Sequence, residues 1–598
     1  MPSVSAHVAL TLAQHIDAVF GVMGNGNAYF LDALETQTDA VFTAVRHEQG
    51  AVVAADAHYR ASGRIAAATS TYGAGFTNTI TALAEAVQAR IPLVLVVGDE
   101  PTSGPRPWDV DQIALASAVG ARTYTTGRAD AAATTVIAIE HALTYRVPVV
   151  LAIPYDVAAL DAGPVPPAPS PRVPAPLTPK GEFAAGMLDE IAAALRDAER
   201  PFLLAGRGAW LADAGAALGA LADATGALTA SSALGRGVFP DARYDLGVTG
   251  GFGADGAMEL IREADVAVVF GASLNQFTMR FGELFAPGTR VFQVDVAPAA
   301  THAHVSGFVR GDARVVADEL VARLAAGVRS ASGAMSASGA ASAPASEADA
   351  HSERRSTAAS ADGSGDSVRA EPTSPRPAGT PWRERVDVAA ARAYAPGDEL
   401  AADGRLDPRS AARRIAALLP EDRVVVSDGG HFIGWANMYW PVAAPDRMMM
   451  VGTAFQSIGQ GWPSVVGAAR ARPDSTVVLT TGDGGGLMAI ADLESAVRAA
   501  GGKGMAVVWN DAAYGAEVNL YGLKGLAEGP MRIPEVDFAA LGAAVGAEGV
   551  VVRTLADLDR LETWAAEDPA ERRFLVLDLR ISGDVIAPYQ QEIIRVNS

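Results

Sequence analysis

The chain is 598 residues long, carries a formal net charge of −21 and contains no cysteine. At ~100–200 residues per domain its length suggests three or four domains, and its apolar content is ample for several cores. The acidic balance disfavours nucleic acid and anionic membranes, and the lack of cysteine excludes a disulfide framework, a thiolate metal site and a Cys nucleophile.

The first residues, Met1 to Leu12, lack a basic stretch followed by a long apolar run, so no signal peptide is expected. No run of about 18 apolar residues is present, so no membrane span is expected either. The expectation is a cytoplasmic protein. From Val4 to Asp156, helical patterns alternate with short apolar strands. Ala18–Gly21 runs into a turn holding Gly21, Gly24 and Gly26, and Ile65–Thr69, Leu93–Val97 and Val149–Ile153 follow. Continuous apolar strands separated by helices imply a parallel sheet covered on both faces. A Pro-rich connector, Gly163 to Pro179, leads to a second such block with strands expected at Phe202–Ala205, Val266–Phe270 and Val291–Val294. Residues 327–379 are Ala, Ser, Gly and Pro with scattered charge, a composition that buries too little surface to offset its ordering entropy. Trp382 to Tyr394 is expected to pack back onto a domain. A third block has strands expected at Val424–Ser427, Val477–Thr480, Met505–Trp509 and Phe574–Leu577. The division expected is 1–165, 180–326, a flexible linker over 327–395, and 396–598. The first and third blocks share a coarse pattern that hints at duplication. The fold class is α/β, in three domains with parallel sheets flanked by helices.

The chemistry concentrates at strand ends. One apolar strand ends at Gly482-Asp483-Gly484-Gly485, and the next ends at Asn510-Asp511. Carboxyl ends of parallel strands are where open α/β sheets place ligands. The glycines let backbone N–H groups approach phosphate oxygens. Asp483, Asn510 and a backbone carbonyl at Ala512 offer hard oxygens suited, with a diphosphate, to Mg²⁺. Read alone, Gly-Asp-Gly is also an ordinary turn. In the first block, Arg46-His47-Glu48-Gln49-Gly50-Ala51 opens an Ala-rich helix. Glu48 there is either a functional acid or a carboxylate favoured by the helix dipole.

Taken together, these motifs resemble the thiamine-diphosphate enzymes, the acetolactate synthase, pyruvate oxidase and 2-oxo-acid decarboxylase group, in which Gly-Asp-Gly and a later Asn bind metal and diphosphate. Ala454–Gly459 and Trp462–Ala468 are similar to the segment that precedes that signature in acetolactate synthases. The resemblance extends through Ala54-Ala55-Asp56, Tyr59–Gly63 and Gly73–Asn78. It implies a first domain that binds the pyrimidine and a last domain that binds the diphosphate. It makes Glu48 the acid that activates the aminopyrimidine, puts Gly73 and Asn78 at the cofactor, and makes Ile458 the apolar prop beneath it. It also implies that Glu48 of one subunit serves the cofactor held by another, hence a homodimer or homotetramer. The family carries Asn-Asn where this chain has Asn510-Asp511.

The substrate is less legible. The run Ala513–Leu520 departs from the Met-Val-x-Gln-Trp character of acetolactate synthases, and Asp99 to Gln112 lacks the His-His pair of pyruvate-type decarboxylases. Glu517 resembles the proton-relay glutamate of those decarboxylases, offset by one position. His431, after Ser427-Asp428-Gly429-Gly430, is either a proton shuttle or a surface histidine. Gln112 resembles a polar position facing the cofactor and is otherwise structural. Gly271-Ala272-Ser273-Leu274-Asn275 lacks the Gly-Ala-Arg-Phe-Asp pattern that accompanies FAD, which argues against FAD. The expected activity is a thiamine-diphosphate- and Mg²⁺-dependent decarboxylase or carboligase acting on a 2-oxo acid or related carbonyl compound. The alternatives are a C–C lyase or hydrolase on an acyloin or diketone, and a non-catalytic cofactor-binding paralogue. The absence of a Walker-type motif and of a dinucleotide fingerprint argues against an unrelated nucleotide-binding protein.

Overall fold

The computed structural model describes residues 1–338, 380–442 and 444–597. It holds three six-stranded sheets, each parallel throughout. The first contains β1 (Ala18–Gly21), β2 (Val41–Ala44), β3 (Ala66–Ser70), β4 (Leu93–Asp99), β5 (Arg122–Thr125) and β6 (Pro148–Pro154), in the order β2-β1-β3-β4-β6-β5. The second contains β7 (Pro201–Ala205), β8 (Leu228–Ser231), β9 (Asp245–Val248), β10 (Val266–Phe270), β11 (Arg290–Asp295) and β12 (Val305–Arg310), in the order β12-β11-β10-β7-β8-β9. The third contains β13 (Arg423–Ser427), β14 (Met448–Met450), β15 (Thr476–Gly482), β16 (Gly504–Asn510), β17 (Glu548–Val552) and β18 (Leu575–Arg580), in the order β14-β13-β15-β16-β18-β17. Counted from their own first strands, the first and third sheets have the same order, and the second differs.

Strands expected from sequence lie in the inner parts of the sheets, where both faces are covered and most residues are apolar. The strands not foreseen are β2, β5, β8, β9, β12, β14 and β17, and all but β8 are sheet edges. An edge strand such as β5 or β17 is half exposed and does not read as an apolar run.

The linker expected over 327–395 is narrower at both ends. A helix continues through Ala313–Ser338. Further on, Trp382 and Val388 are buried in the apolar layer of the second sheet with Phe202 and Val269, and Tyr394 Oη donates to the Phe252 carbonyl at 2.6 Å. Residues 339–379, the remainder of that expectation, lie outside the described residues. Among the described residues, no helix is long and apolar enough to cross a membrane.

One core runs continuously between the first and third sheets. The helix Glu48–Ser62 packs on the helix Gly461–Ala471 through small residues. A Cβ on Gly467 would stand 2.0 Å from the Ala54 carbonyl, so only glycine allows this approach. A buried ion cluster ties the same two domains. Arg60 pairs with Asp56 and Glu85 and donates to the Met450 carbonyl at 3.1 Å. Glu85 in turn accepts the backbone N–H groups of Ala454 and Phe455. The loop that carries Ile458 is therefore held by a carboxylate of the first domain. Breaking one partner of such a buried pair costs about 3–5 kcal/mol.

Candidate active site

Four chain turns converge at the carboxyl end of the third sheet. β15 delivers Gly482 and then Asp483, which opens the helix Asp483–Met488. The neighbouring β16 delivers Asn510 and Asp511. The turn after β13 delivers His431, and the loop before the helix Gly461–Ala471 delivers Ile458. The glycines are required here by space. A Cβ on Gly484 would stand 2.7 Å from the Tyr514 ring, and one on Gly485 would stand 2.8 Å from Asp428 Oδ2. Trp462, fully buried, donates its indole N–H to the Gly486 carbonyl at 3.0 Å and holds the glycine run in place.

Asp483 and Asn510 are buried, yet Asp483 Oδ2 and Asn510 Oδ1 have no hydrogen-bond partner, and neither has Asp511 Oδ1. Buried polar atoms are ordinarily paired, and each unpaired one carries a desolvation cost of about 1–3 kcal/mol. These three oxygens lie at the ends of the adjacent strands β15 and β16. The Asn510 amide is oriented from behind: its Nδ2 donates to Asp578 Oδ1 at 2.9 Å and to the Val536 carbonyl at 3.0 Å. Asp578 is held in turn by the Phe538 N–H and Arg580. The acceptor oxygen of Asn510 is thereby left for the site. Burial, reinforced by the nearby Asp511 carboxylate, pushes the Asp483 carboxyl up to about 7. A bound cation would favour the charged form and reverse this. The Ala512 carbonyl accepts the Ile533 N–H at 2.9 Å and keeps a second lone pair. Ala512 adopts φ 58°, a left-handed conformation that non-glycine residues hold at a cost and that clusters at functional sites.

His431 reaches this group. Its Nε2 lies 2.9 Å from Asp511 Oδ2. Burial disfavours the imidazolium, but the Asp511 carboxylate outweighs it and the His431 pKa is raised. Glu517, on the exposed turn after Tyr514, adds a smaller negative field. The C-terminal helix Pro588–Asn597 closes over the His431 turn, with Tyr589 Oη donating to the His431 carbonyl at 2.5 Å.

The first-domain candidates form a separate group. Glu48 opens its helix and accepts from Asn78 Nδ2 at 2.9 Å. Gly73 takes φ 60°, and its N–H donates to Gln112 Oε1 at 2.8 Å. Gln112 Nε2 donates to the Gly98 carbonyl and to Asp99. Both ends of this buried amide are engaged, so Gln112 ties loops together in this chain. Among the described residues, no hydrogen bond or ion pair joins Glu48 to Asp483 or Asn510. Sequence reasoning missed the orienting carboxylates Asp428 and Asp578 and the pairing of His431 with Asp511. Asp428 accepts the N–H groups of Gly429, Gly459 and Gln460 and the Thr481 hydroxyl. Its position within Ser427-Asp428-Gly429-Gly430, a polar run directly after an apolar strand, was the available signal.

A parallel sheet with a glycine run and unpaired buried oxygens at its carboxyl end defines an α/β protein with a candidate ligand site there. The chain matches family models along most of its length. The thiamine pyrophosphate enzyme N-terminal binding domain matches residues 2–118, the central domain residues 188–320 and the C-terminal binding domain residues 428–579. The chain belongs to the thiamine pyrophosphate enzyme family, and it is a thiamine-diphosphate-dependent enzyme. It is 28% identical over 611 residues to the sulfoacetaldehyde acetyltransferase of Rhodobacter capsulatus, covering 99% of this chain and 96% of the relative. It is 25% identical over 597 residues to the acetolactate synthase isozyme 3 large subunit of Escherichia coli, covering 95% and 93%. The fold is similar to that of the benzoylformate decarboxylase of Polynucleobacter necessarius, with a TM-score of 0.73, 19% identity, and coverage of 98% of this chain and 99% of that one.

Proposed function

We propose that the enzyme is a Mg²⁺-dependent decarboxylase or carboligase acting on a 2-oxo acid or related small carbonyl compound. The observation that carries the reading is the set of buried, unpartnered oxygens on Asp483 and Asn510 beside a glycine run. Asp483, Asn510 and the Ala512 carbonyl hold the metal, and the backbone from Gly482 to Gly485 receives the diphosphate. Ile458 would supply the apolar support for the cofactor's rings. Bound thiamine diphosphate supplies an electron sink for the carbon that loses its substituent. Glu48 holds a proton at the aminopyrimidine, with Gly73 and Asn78 beside it. His431 and Glu517 move protons at the substrate, and Gln112 holds the first-domain loops that face it.

The domains at 1–165 and 396–598 act as pyrimidine- and diphosphate-binding halves that pack on each other, and 180–326 lies between them in the sequence. Membership in the thiamine pyrophosphate enzyme family supports a homodimer, or a dimer of dimers, in which Glu48 of one copy serves the cofactor of the other. Cytoplasmic residence belongs to the same proposal. The test is titration of metal-stripped protein with thiamine diphosphate, with and without Mg²⁺, followed by CO₂ release from a panel of 2-oxo acids. Metal-dependent binding and CO₂ release are expected. Binding that ignores Mg²⁺ would overturn the metal assignment. Turnover of an acyloin or diketone without CO₂ would replace the decarboxylase reading with a lyase.

A further inference from the structure

Asp511 differs from the two buried aspartates that orient the site, Asp428 and Asp578. Asp428 and Asp578 each have both oxygens engaged, Asp428 mainly by backbone N–H groups and Asp578 by the Asn510 amide, Arg580 and the Phe538 N–H. Asp511 has a single described partner. Its Oδ2 meets His431 Nε2 at 2.9 Å, its Oδ1 is buried and unpartnered, and its side chain is 2% exposed. A buried carboxylate with one satisfied oxygen is a poor stabilising device, since desolvation is only partly offset.

Everything around His431 serves to hold it still. Asp428 anchors the turn that precedes it. Tyr589 Oη fixes its carbonyl. Gly515 leaves room for the ring, because a Cβ there would stand 2.5 Å from Cε1 and Nε2. No described residue hydrogen-bonds the other ring nitrogen, and the side chain keeps 16% exposure. A carboxylate on one imidazole nitrogen decides which tautomer is present and which nitrogen is free to exchange a proton.

We propose that Asp511 is a positioning residue that accepts the His431 Nε2–H and presents Nδ1 for proton transfer with the bound substrate. This rests on the functional reading above. In the step, Nδ1 takes one proton from a substrate O–H, whose electron pair stays on oxygen. It then returns that proton to substrate or solvent, and no electrons pass to any acceptor.

The test combines kinetics, cofactor titration and histidine NMR. Asp511→Asn keeps shape and removes the carboxylate. It should lower kcat by about 10- to 100-fold while leaving KM and the Mg²⁺-dependent affinity for thiamine diphosphate unchanged. In a His431→Gln background the same change should cost nothing further. Equal losses in both backgrounds would overturn the proposal. So would weakened metal-dependent binding with kcat unchanged, which would place Asp511 at the metal. In wild-type apo protein labelled with ¹⁵N-histidine, the signal lost in His431→Gln should report an Nε2–H, and a His431 signal reporting Nδ1–H would also overturn it. This measurement needs no folded Asp511 variant and no cofactor, so it separates failure of the pair from failure of the functional reading.

Discussion

The first and third sheets have the same strand order and the same direction, yet their carboxyl ends are built to opposite rules. In the first, the polar groups close on one another: Gln112 on Gly73, Gly98 and Asp99, and Asn78 on Glu48. In the third, Asp483, Asn510 and Asp511 each keep a buried oxygen without a partner. One topology therefore yields a self-satisfied surface and a site held open for ligand. The difference lies in what stands behind each group. Asp578 and Val536 take the donor side of Asn510 and leave its acceptor unmatched.

Glu48→Gln probes the closed side and carries the largest expected effect on turnover. It keeps the hydrogen-bonding shape but not the carboxylate, and should cut turnover by about 100- to 10,000-fold, the range for a proton-transfer group, with cofactor affinity retained. Wild-type turnover in that variant would remove Glu48 from the mechanism. Asp483→Ala probes the open side. On the proposed assignment it deletes a metal-binding oxygen and should weaken Mg²⁺-dependent cofactor binding by on the order of 100-fold or more, since even outer partners cost 10- to 100-fold. Asp578→Asn removes only the carboxylate that orients Asn510. A loss of about 10- to 100-fold in metal-dependent affinity is expected by titration, and no loss would mean that Asn510 orients itself.

The last prediction concerns stability and leaves turnover alone. His58, buried on the helix Glu48–Ser62, has its pKa lowered from 6.5 to about 4, first by burial and then by Arg64. The folded-state value is depressed, so between those two values the unfolded chain binds more protons than the folded one. Stability should therefore fall as pH drops from 6.5 towards 4, by up to about 3 kcal/mol. Urea unfolding at neutral and mildly acid pH would measure it, and His58→Gln should remove that part of the slope. An unchanged slope in the variant would assign the acid sensitivity elsewhere.

Much of the inner fold was legible because β4, β10 and β16 are buried on both faces and read as unbroken apolar runs. Edge strands such as β5 and β17 were not, because half of each faces solvent. The placement of Glu48, Asp483 and Asn510 just after or at the ends of strands was legible because such motifs are local in sequence. The role of Gln112 as a tie between loops was not, because its partners lie at Gly73 and at the end of β4.

The sequence by itself determined three α/β blocks, since apolar periodicity is encoded over a few consecutive residues, and its strand-end motifs carried the resemblance to thiamine-diphosphate enzymes. Only the tertiary structure decided that Asp511 meets His431, that Asp578 turns the Asn510 oxygen into the site, and that Glu85 grips the loop leading to Ile458. Those contacts join segments far apart in the chain. They depend on which helix packs on which sheet, and a pattern of neighbouring residues cannot specify that.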